Sequence, residues 1–308
     1  MQQRTFSLAA VPPYRLDLTV WALRRREDNA IDSWDGRSYR RVLDLGSGPV
    51  ELVAFQEAAT VPQLAVQLTG VRLTGETEAA AQAALRRLLG LETDLSAFYS
   101  FAADDPFLGP LTRRFRGLKP PRLPTLFECL VNAIACQQLT LTVGIRLLNR
   151  LAKAYGASVR DGVPRAFPEP ALLAGLSAES LRPLGFSRAK ALSIVALADA
   201  IETGAFDTEA IESLDDEEAV AELMRLRGIG RWSAEYALLR GLGRLNVFPG
   251  DDVGARNNLA RRLQLKGPLD YAAVQDAVRP WQPFAGLVYF HLLLANLADR
   301  GVLTEPTA

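Results

Sequence analysis

Two neighbouring stretches decide the fold: Leu226–Leu239, LRGIGRWSAEYALL, and Val247–Leu263, VFPGDDVGARNNLARRL. Gly228, Ile229 and Gly230 stand between the end of one helical pattern and the start of the next. Two glycines around one apolar residue make a tight hairpin, with Ile229 turned inward and the glycines free of a Cβ. The helix that follows begins with unpaired backbone N–H groups, which can bind a phosphate oxygen. Such a contact reads the shape of a DNA backbone rather than its sequence. A bare Gly-Ile-Gly is common. The full frame, Leu226-x-Gly-Ile-Gly-x-x-x-Ala234 between two helices, is far more specific. Some twenty residues on come Pro249, Gly250, Asp251 and Asp252, directly before an Arg-rich helical pattern. Phosphate repels acids on a DNA-facing surface, so a carboxylate kept there points to chemistry. Asp252 also has a plainer role as the N-cap of the helix starting at Val253.

Composition agrees with a soluble globular protein. The chain has 308 residues, enough for two or three domains, with 49% hydrophobic and 23% charged residues. The N-terminus lacks the apolar stretch of a signal peptide and no apolar run is long enough to span a bilayer, so a cytoplasmic location is expected. Cys129 and Cys136 are too few for a disulfide framework or an iron–sulfur cluster. One histidine, His291, argues against most metal sites and against histidine-based triads. The formal net charge is zero, yet charge is segregated along the chain. Residues 201–222 carry nine acids and no Lys or Arg, whereas residues 223–266 carry nine Lys or Arg against three acids. Residues 113–122 add five basic side chains and no acid. One DNA-facing side would produce this pattern, and solvated helix faces would too.

Outward from the hairpin, the chain reads as two parts. Residues 1–116 read as a β-rich α+β domain. Gln63–Leu73 alternates with the two-residue period of a half-buried strand, and Tyr14–Leu23, Arg37–Leu45 and Val50–Phe55 look similar. A helical pattern starts at Glu76. Gly117–Pro124, GLKPPRLP, cannot hold a helix and reads as a domain junction. Residues 117–308 read as helical, with patterns over Leu126–Tyr155, Pro170–Leu176, Ala178–Leu184, Ser187–Glu202, Asp215–Leu226, Arg231–Leu242, Val253–Leu263, Tyr271–Val278 and Pro283–Arg300. The hairpin motif spans about residues 220–242. Arg41–Val50, RVLDLGSGPV, looks like the Gly-rich turn of methyltransferases that use S-adenosylmethionine. Val50 stands in place of the final glycine, and an extended segment rather than a helix follows. A turn at Gly46–Pro49 between two antiparallel strands is the better reading.

The hairpin and acid pair resemble the helix-hairpin-helix, Gly/Pro-Asp superfamily of DNA glycosylases, and within it the DNA-3-methyladenine glycosylase II branch. The similarity runs through PPYRLDLTVWALRRR, LFECLVNAIACQQLTLTVGIRLLNRLAKAYG, FPEPALLAGLSAESLRPLGFSRAKALSIVALADAI and RPWQPFAGLVYFHL. It implies an α+β fold: an N-terminal antiparallel β-sheet domain with helices, then an all-α helix-hairpin-helix bundle. It implies base flipping and hydrolysis of the N-glycosidic bond of alkylated purines, such as 3-methyladenine and 7-methylguanine, in duplex DNA. By position, Asp252 is then the catalytic carboxylate. Gly228, Ile229 and Gly230 hold DNA, and Gln138 with Leu139 stands where the family places its wedge. Trp232, Tyr236 and Phe290 line the base pocket, Phe290 replacing a family tryptophan. Carbonyls of Met224, Leu226 and Ile229 would hold a monovalent cation, and no other cofactor is required. Trp232 occupies the place of the lysine that attacks the sugar in lyase relatives, which implies a monofunctional enzyme. The expected partner is double-stranded DNA containing alkylated bases, bound by a monomer. Two other readings stay open: a non-catalytic DNA-binding module whose Asp252 only caps a helix, and a uracil or mismatch glycosylase.

Overall fold

The computed structural model describes residues 1–58, 60–160, 164–265 and 267–303. Its N-terminal part holds five strands: β1 (Gln2–Ala9), β2 (Ser33–Trp34), β3 (Ser38–Asp44), β4 (Pro49–Gln56) and β5 (Gln63–Gly70). They form one sheet in the order β1-β5-β4-β3-β2, antiparallel throughout. Leu64, Val66 and Leu68 of β5 face inward, opposite Leu8, Phe6 and Arg4 of β1, which is the alternation legible in the sequence. The β3–β4 hairpin turns at Gly46 and Gly48, both in the left-handed region, so the methyltransferase-like stretch is a turn between paired strands.

Tyr14–Leu23 is not a strand. Leu16–Arg24 is a helix, buried on almost every side. Leu16, Val20 and Leu23 join the core under the sheet, while Leu18, Trp21 and Ala22 join a second core against the last helix, Ala285–Asp299. A helix wedged between two cores has no polar stripe, so the period that would mark it is missing from the sequence.

The helical part follows the sequence pattern with three differences. Leu126–Tyr155 divides into Leu126–Cys136 and Leu141–Tyr155, and Gln138 sits between them in the left-handed region. Arg231–Ala237 widens into a π-helical segment over Leu238–Leu242. The short helix Thr208–Ser213, like Ser96–Ala102 and Leu108–Arg114 in the N-terminal part, carried too little pattern to read. No helix among the described residues is long and apolar enough to cross a membrane.

The basic junction turns largely inward. Lys119 is buried and donates to the Thr93 carbonyl at 2.6 Å; burial lowers its pKa to about 8 against the opposing pull of Asp94. Arg122 donates to the Gly241 carbonyl. These two charges therefore hold the fold and do not face a ligand. The parts are also tied through Arg41 of β3, which reaches Asp32 at 2.6 Å and Glu128 of Leu126–Cys136 at 2.6 Å.

His291 lies wholly inside the second core, with Nδ1 donating to the Leu287 carbonyl at 2.8 Å. Burial lowers its pKa from 6.5 to about 4, although the Leu287 hydrogen bond works the other way. The folded value lies below the unfolded one. Its contribution is therefore complete above pH 6.5 and is lost as pH falls towards 4, roughly 3 kcal/mol in all. Between pH 6.5 and 4.5 the unfolding free energy of His291→Leu should fall less steeply than that of the natural chain, by about one bound proton. Equal slopes in urea titrations would exclude His291 as the acid-sensitive group.

Candidate active site

The acidic loop is built by three hydrogen bonds. The Asp252 N–H donates to the Pro249 carbonyl at 3.0 Å, and the Gly250 N–H donates to Glu235 Oε2 at 3.1 Å. Tyr271 donates to the other Glu235 oxygen at 2.6 Å. Burial raises the Glu235 pKa, and the donors from Tyr271 and Gly250 oppose the rise. Glu235 thus anchors the loop from behind, a role that nothing in its local sequence marks. A cleft of about 350 Å³ lined by Asp216, Glu235, Asn246 and Tyr271 does not include Asp252.

Asp252 divides its two oxygens. Oδ1 accepts the Ala255 N–H at 2.8 Å, which makes Asp252 the N-cap of Val253–Arg262. Oδ2 accepts Trp232 Nε1 at 3.3 Å and the Tyr289 hydroxyl at 3.1 Å. Capping and presentation are therefore both present. Tyr289 keeps its proton, because burial and the neighbouring Asp252 charge raise its pKa well above 10. Tyr289, and not Phe290, is the side chain of the last helix that reaches the carboxylate. Phe290 is fully buried behind it, edge-on to Tyr289 and 5.4 Å from the Arg240 guanidinium. A one-residue difference along a helix turns a side chain by about 100°, which separates the two roles.

Trp232 is half-buried and packs 5.5 Å from Tyr236. Tyr236 is 1% exposed; its hydroxyl donates to Asn132 at 3.0 Å, and the Arg25 and Arg240 guanidiniums lie 5.9 and 5.7 Å from its ring centre. The accessible aromatic wall beside Asp252 is therefore Trp232, with Tyr236 supporting it from inside.

The hairpin is as tight as its glycines require. Gly228 has φ +78°, and a Cβ there would stand 2.3 Å from Ser193 Oγ. Ile229 is buried, as expected. Gly230 differs: a Cβ there meets nothing within 4 Å, so its bareness leaves open space over the start of Arg231–Ala237, where no side chain caps the helix. Gln137 joins the hairpin to the loop at 137–140, donating to the Gly228 carbonyl and to Ser233 Oγ at 2.8 Å each. Lys190 holds the same loop through the Ala135 and Gln137 carbonyls. Gln138 and Leu139 are thereby exposed next to the hairpin, Leu139 by 44%. The Leu226 carbonyl accepts the Ile229 N–H at 3.2 Å, while Met224 lies in the last turn of Asp216–Met224. Arg262 is paired with Asp299 at 2.6 Å and does not present a free charge.

The hairpin, the exposed loop at 137–140 and the held carboxylate now stand together, and comparison with known proteins gives the arrangement its family. The profile described as "HhH-GPD superfamily base excision DNA repair protein" matches residues 131–283, and that of the AlkA N-terminal domain matches residues 5–125. The chain belongs to the HhH-GPD superfamily. DNA-3-methyladenine glycosylase 2 of Escherichia coli is 27% identical over 282 residues, covering 91% of this chain and 94% of the relative. A DNA-3-methyladenine glycosylase of Bacillus subtilis is 29% identical over 206 residues, 66% of this chain and 67% of the relative. Among solved structures, the 3-methyladenine DNA-glycosylase from Archaeoglobus fulgidus superimposes with a TM-score of 0.83 at 26% identity, over 94% of this chain and 98% of that one. The Archaeoglobus fulgidus structure shares both the sheet domain and the bundle with this chain.

Proposed function

We propose that this HhH-GPD protein is a monofunctional DNA glycosylase that hydrolyses the N-glycosidic bond of alkylated purines, 3-methyladenine and 7-methylguanine among them, in duplex DNA. The observation that carries this reading is the second oxygen of Asp252, held by Trp232 and Tyr289 beside the hairpin. A residue that only capped a helix would have no need of two aromatic donors on its second oxygen.

In this reading the hairpin N–H groups around Gly228, Ile229 and Gly230 grip one phosphate, and Gln138 or Leu139 fills the gap left by the flipped nucleotide. Carbonyl oxygens of Met224, Leu226 and Ile229, as neutral, hard donors, would hold an alkali-metal cation, which would supply positive charge to that phosphate. The flipped base lies against Trp232. An alkylated purine carries a positive charge and a weakened bond to its sugar, so it departs with little help from an acid. As the C1′–N bond breaks, the electron pair stays with the base and positive charge grows on the sugar. Asp252 stabilises that charge and directs water to C1′. Trp232, standing where lyase relatives carry a lysine, offers no amine for covalent attack.

Incubation with methylated duplex DNA should release free methylpurines, read by chromatography. A protein that binds DNA but releases nothing would be a binding module. Release confined to uracil or mispaired adenine would favour the other glycosylase class. Borohydride trapping during turnover should give no covalent protein–DNA adduct. An adduct would mean that another amine attacks the sugar.

A further inference from the structure

The turn that carries Asp252 is held at one buried backbone point. Residues 249–252 close on the hydrogen bond from the Asp252 N–H to the Pro249 carbonyl, and inside that turn the Gly250 N–H donates to Glu235 Oε2 at 3.1 Å. Glu235 is only 6% exposed, and its other oxygen accepts the Tyr271 hydroxyl at 2.6 Å. Its partners are thus a backbone N–H and a phenol. Burial pushes its carboxyl above the usual range and the Asp251 charge adds to the push, against the two donors and Arg231. A carboxylate kept in such a place is costly, and so is a buried N–H without an acceptor. The fit is close: a Cβ on Gly250 would stand 2.7 Å from the Tyr271 ring and 2.8 Å from Gln275 Nε2. Gln275 in turn donates to the Phe248 carbonyl at 3.1 Å. Trp232, three residues before Glu235 on the helix Arg231–Ala237, reaches the other end of the turn, at Asp252 Oδ2, 3.3 Å away. Residues three apart share a helix face, so one short helix grips the turn at both ends.

We propose that Glu235 is a positioning residue for base release: through the Gly250 N–H it fixes the turn that presents the Asp252 carboxylate. The inference rests on the glycosylase reading above and names the side chain that sets the geometry of its carboxylate. The helix Arg231–Ala237 starts at the hairpin read as the phosphate grip, and it also carries Glu235. One rigid element therefore sets the distance from bound phosphate to carboxylate. A displacement of about 1 Å at a reacting group costs about a hundredfold in rate. Duplex affinity depends on the hairpin N–H groups, which the Glu235 side chain does not touch. Its loss therefore shows in base release and not in binding. What the turn needs is an acceptor at that reach rather than a charge. Glutamine supplies a carbonyl oxygen for Gly250 and an amide that donates to the Tyr271 oxygen. Aspartate keeps the charge but is one methylene too short.

The experiment compares the natural chain with Glu235→Ala, Glu235→Asp and Glu235→Gln. It measures single-turnover release of 7-methylguanine from duplex DNA, duplex Kd by fluorescence anisotropy, and hydrogen exchange of peptides spanning residues 249–252. Glu235→Ala and Glu235→Asp should release base about thirtyfold more slowly with Kd changed by less than about twofold. Exchange at 249–252 should be about tenfold faster in both. Glu235→Gln should stay within about threefold of the natural chain in all three measurements. Natural rates in Glu235→Ala and Glu235→Asp would overturn the proposal. So would equal losses of rate and affinity, which would make Glu235 a general support of the bundle. Glu235→Gln as slow as Glu235→Ala would assign the effect to the charge and overturn it too. If Glu235→Ala does not fold, judged by its melting transition, Glu235→Asp carries the same comparison. A natural chain that releases no base fails at the glycosylase reading, whereas unchanged exchange at 249–252 overturns this proposal alone, which separates the two failures.

Discussion

Asp252→Asn should lower single-turnover base release by at least a hundredfold, about 2.7 kcal/mol of barrier, while folding and duplex affinity stay close to those of the natural chain. The two oxygens have separable duties. Asparagine is itself a good N-cap, so its carbonyl can keep the Ala255 hydrogen bond and the helix Val253–Arg262 stays anchored. Its amide then meets Trp232 Nε1, a donor with no acceptor capacity, where the carboxylate oxygen had been. The negative charge that opposes the growing charge on the sugar is gone. Asp251→Asn leaves the three Asp252 side-chain contacts intact and should be much milder. More than a tenth of the natural rate remaining in Asp252→Asn would remove this carboxylate from the mechanism. Equal losses at 251 and 252 would leave the acid pair acting as one unit.

The second large effect is expected at the hairpin. Gly228→Val combines a positive φ, which a β-branched residue resists, with a Cβ placed 2.3 Å from Ser193 Oγ. The hairpin must shift away from Ser193 on the helix Arg188–Glu202, and Gln137 then loses the Gly228 carbonyl that ties the hairpin to the loop at 137–140. Strain of this kind amounts to roughly 1–3 kcal/mol, so affinity should drop about tenfold to a hundredfold. Because the hairpin is read as holding phosphate, the loss should be the same for unmodified and methylated duplexes of any flanking sequence. Gly230→Ala separates strain from contact. Its backbone is extended and nothing lies within 4 Å of the added Cβ, so the fold should tolerate it while the methyl group crowds the approaching phosphate. Fluorescence anisotropy across a salt series measures both. Affinity for plain duplex unchanged within twofold in Gly228→Val would move the DNA contact away from the hairpin.

The helix-hairpin-helix, the acid loop and the sheet hairpin at Gly46–Pro49 were all legible before the structure, because each depends on residues close together in the chain. Glycines mark turns by what their backbone can do, and alternation along β5 marks a face half in water. The N-cap role of Asp252 was legible for the same reason, because it stands directly before the helix Val253–Arg262.

Tertiary structure decided the rest. Leu16–Arg24 reads as a strand until two cores are seen on either side of it, since a fully surrounded helix shows no period of its own. Tyr289 rather than Phe290 meets Asp252 because the axial rotation of Ala285–Asp299 is set by packing, and neighbouring residues on one apolar helix cannot be told apart by composition. Lys119, Arg122 and Arg262 looked available for DNA in the sequence, yet each is spent on a carbonyl or carboxylate distant along the chain. Arg25 is the opposite case: one of three consecutive arginines in the sequence, it is buried beside Asn132, 107 residues away. A charge's meaning depends on what stands around it in space, and for these residues the neighbours come from elements far apart in the chain.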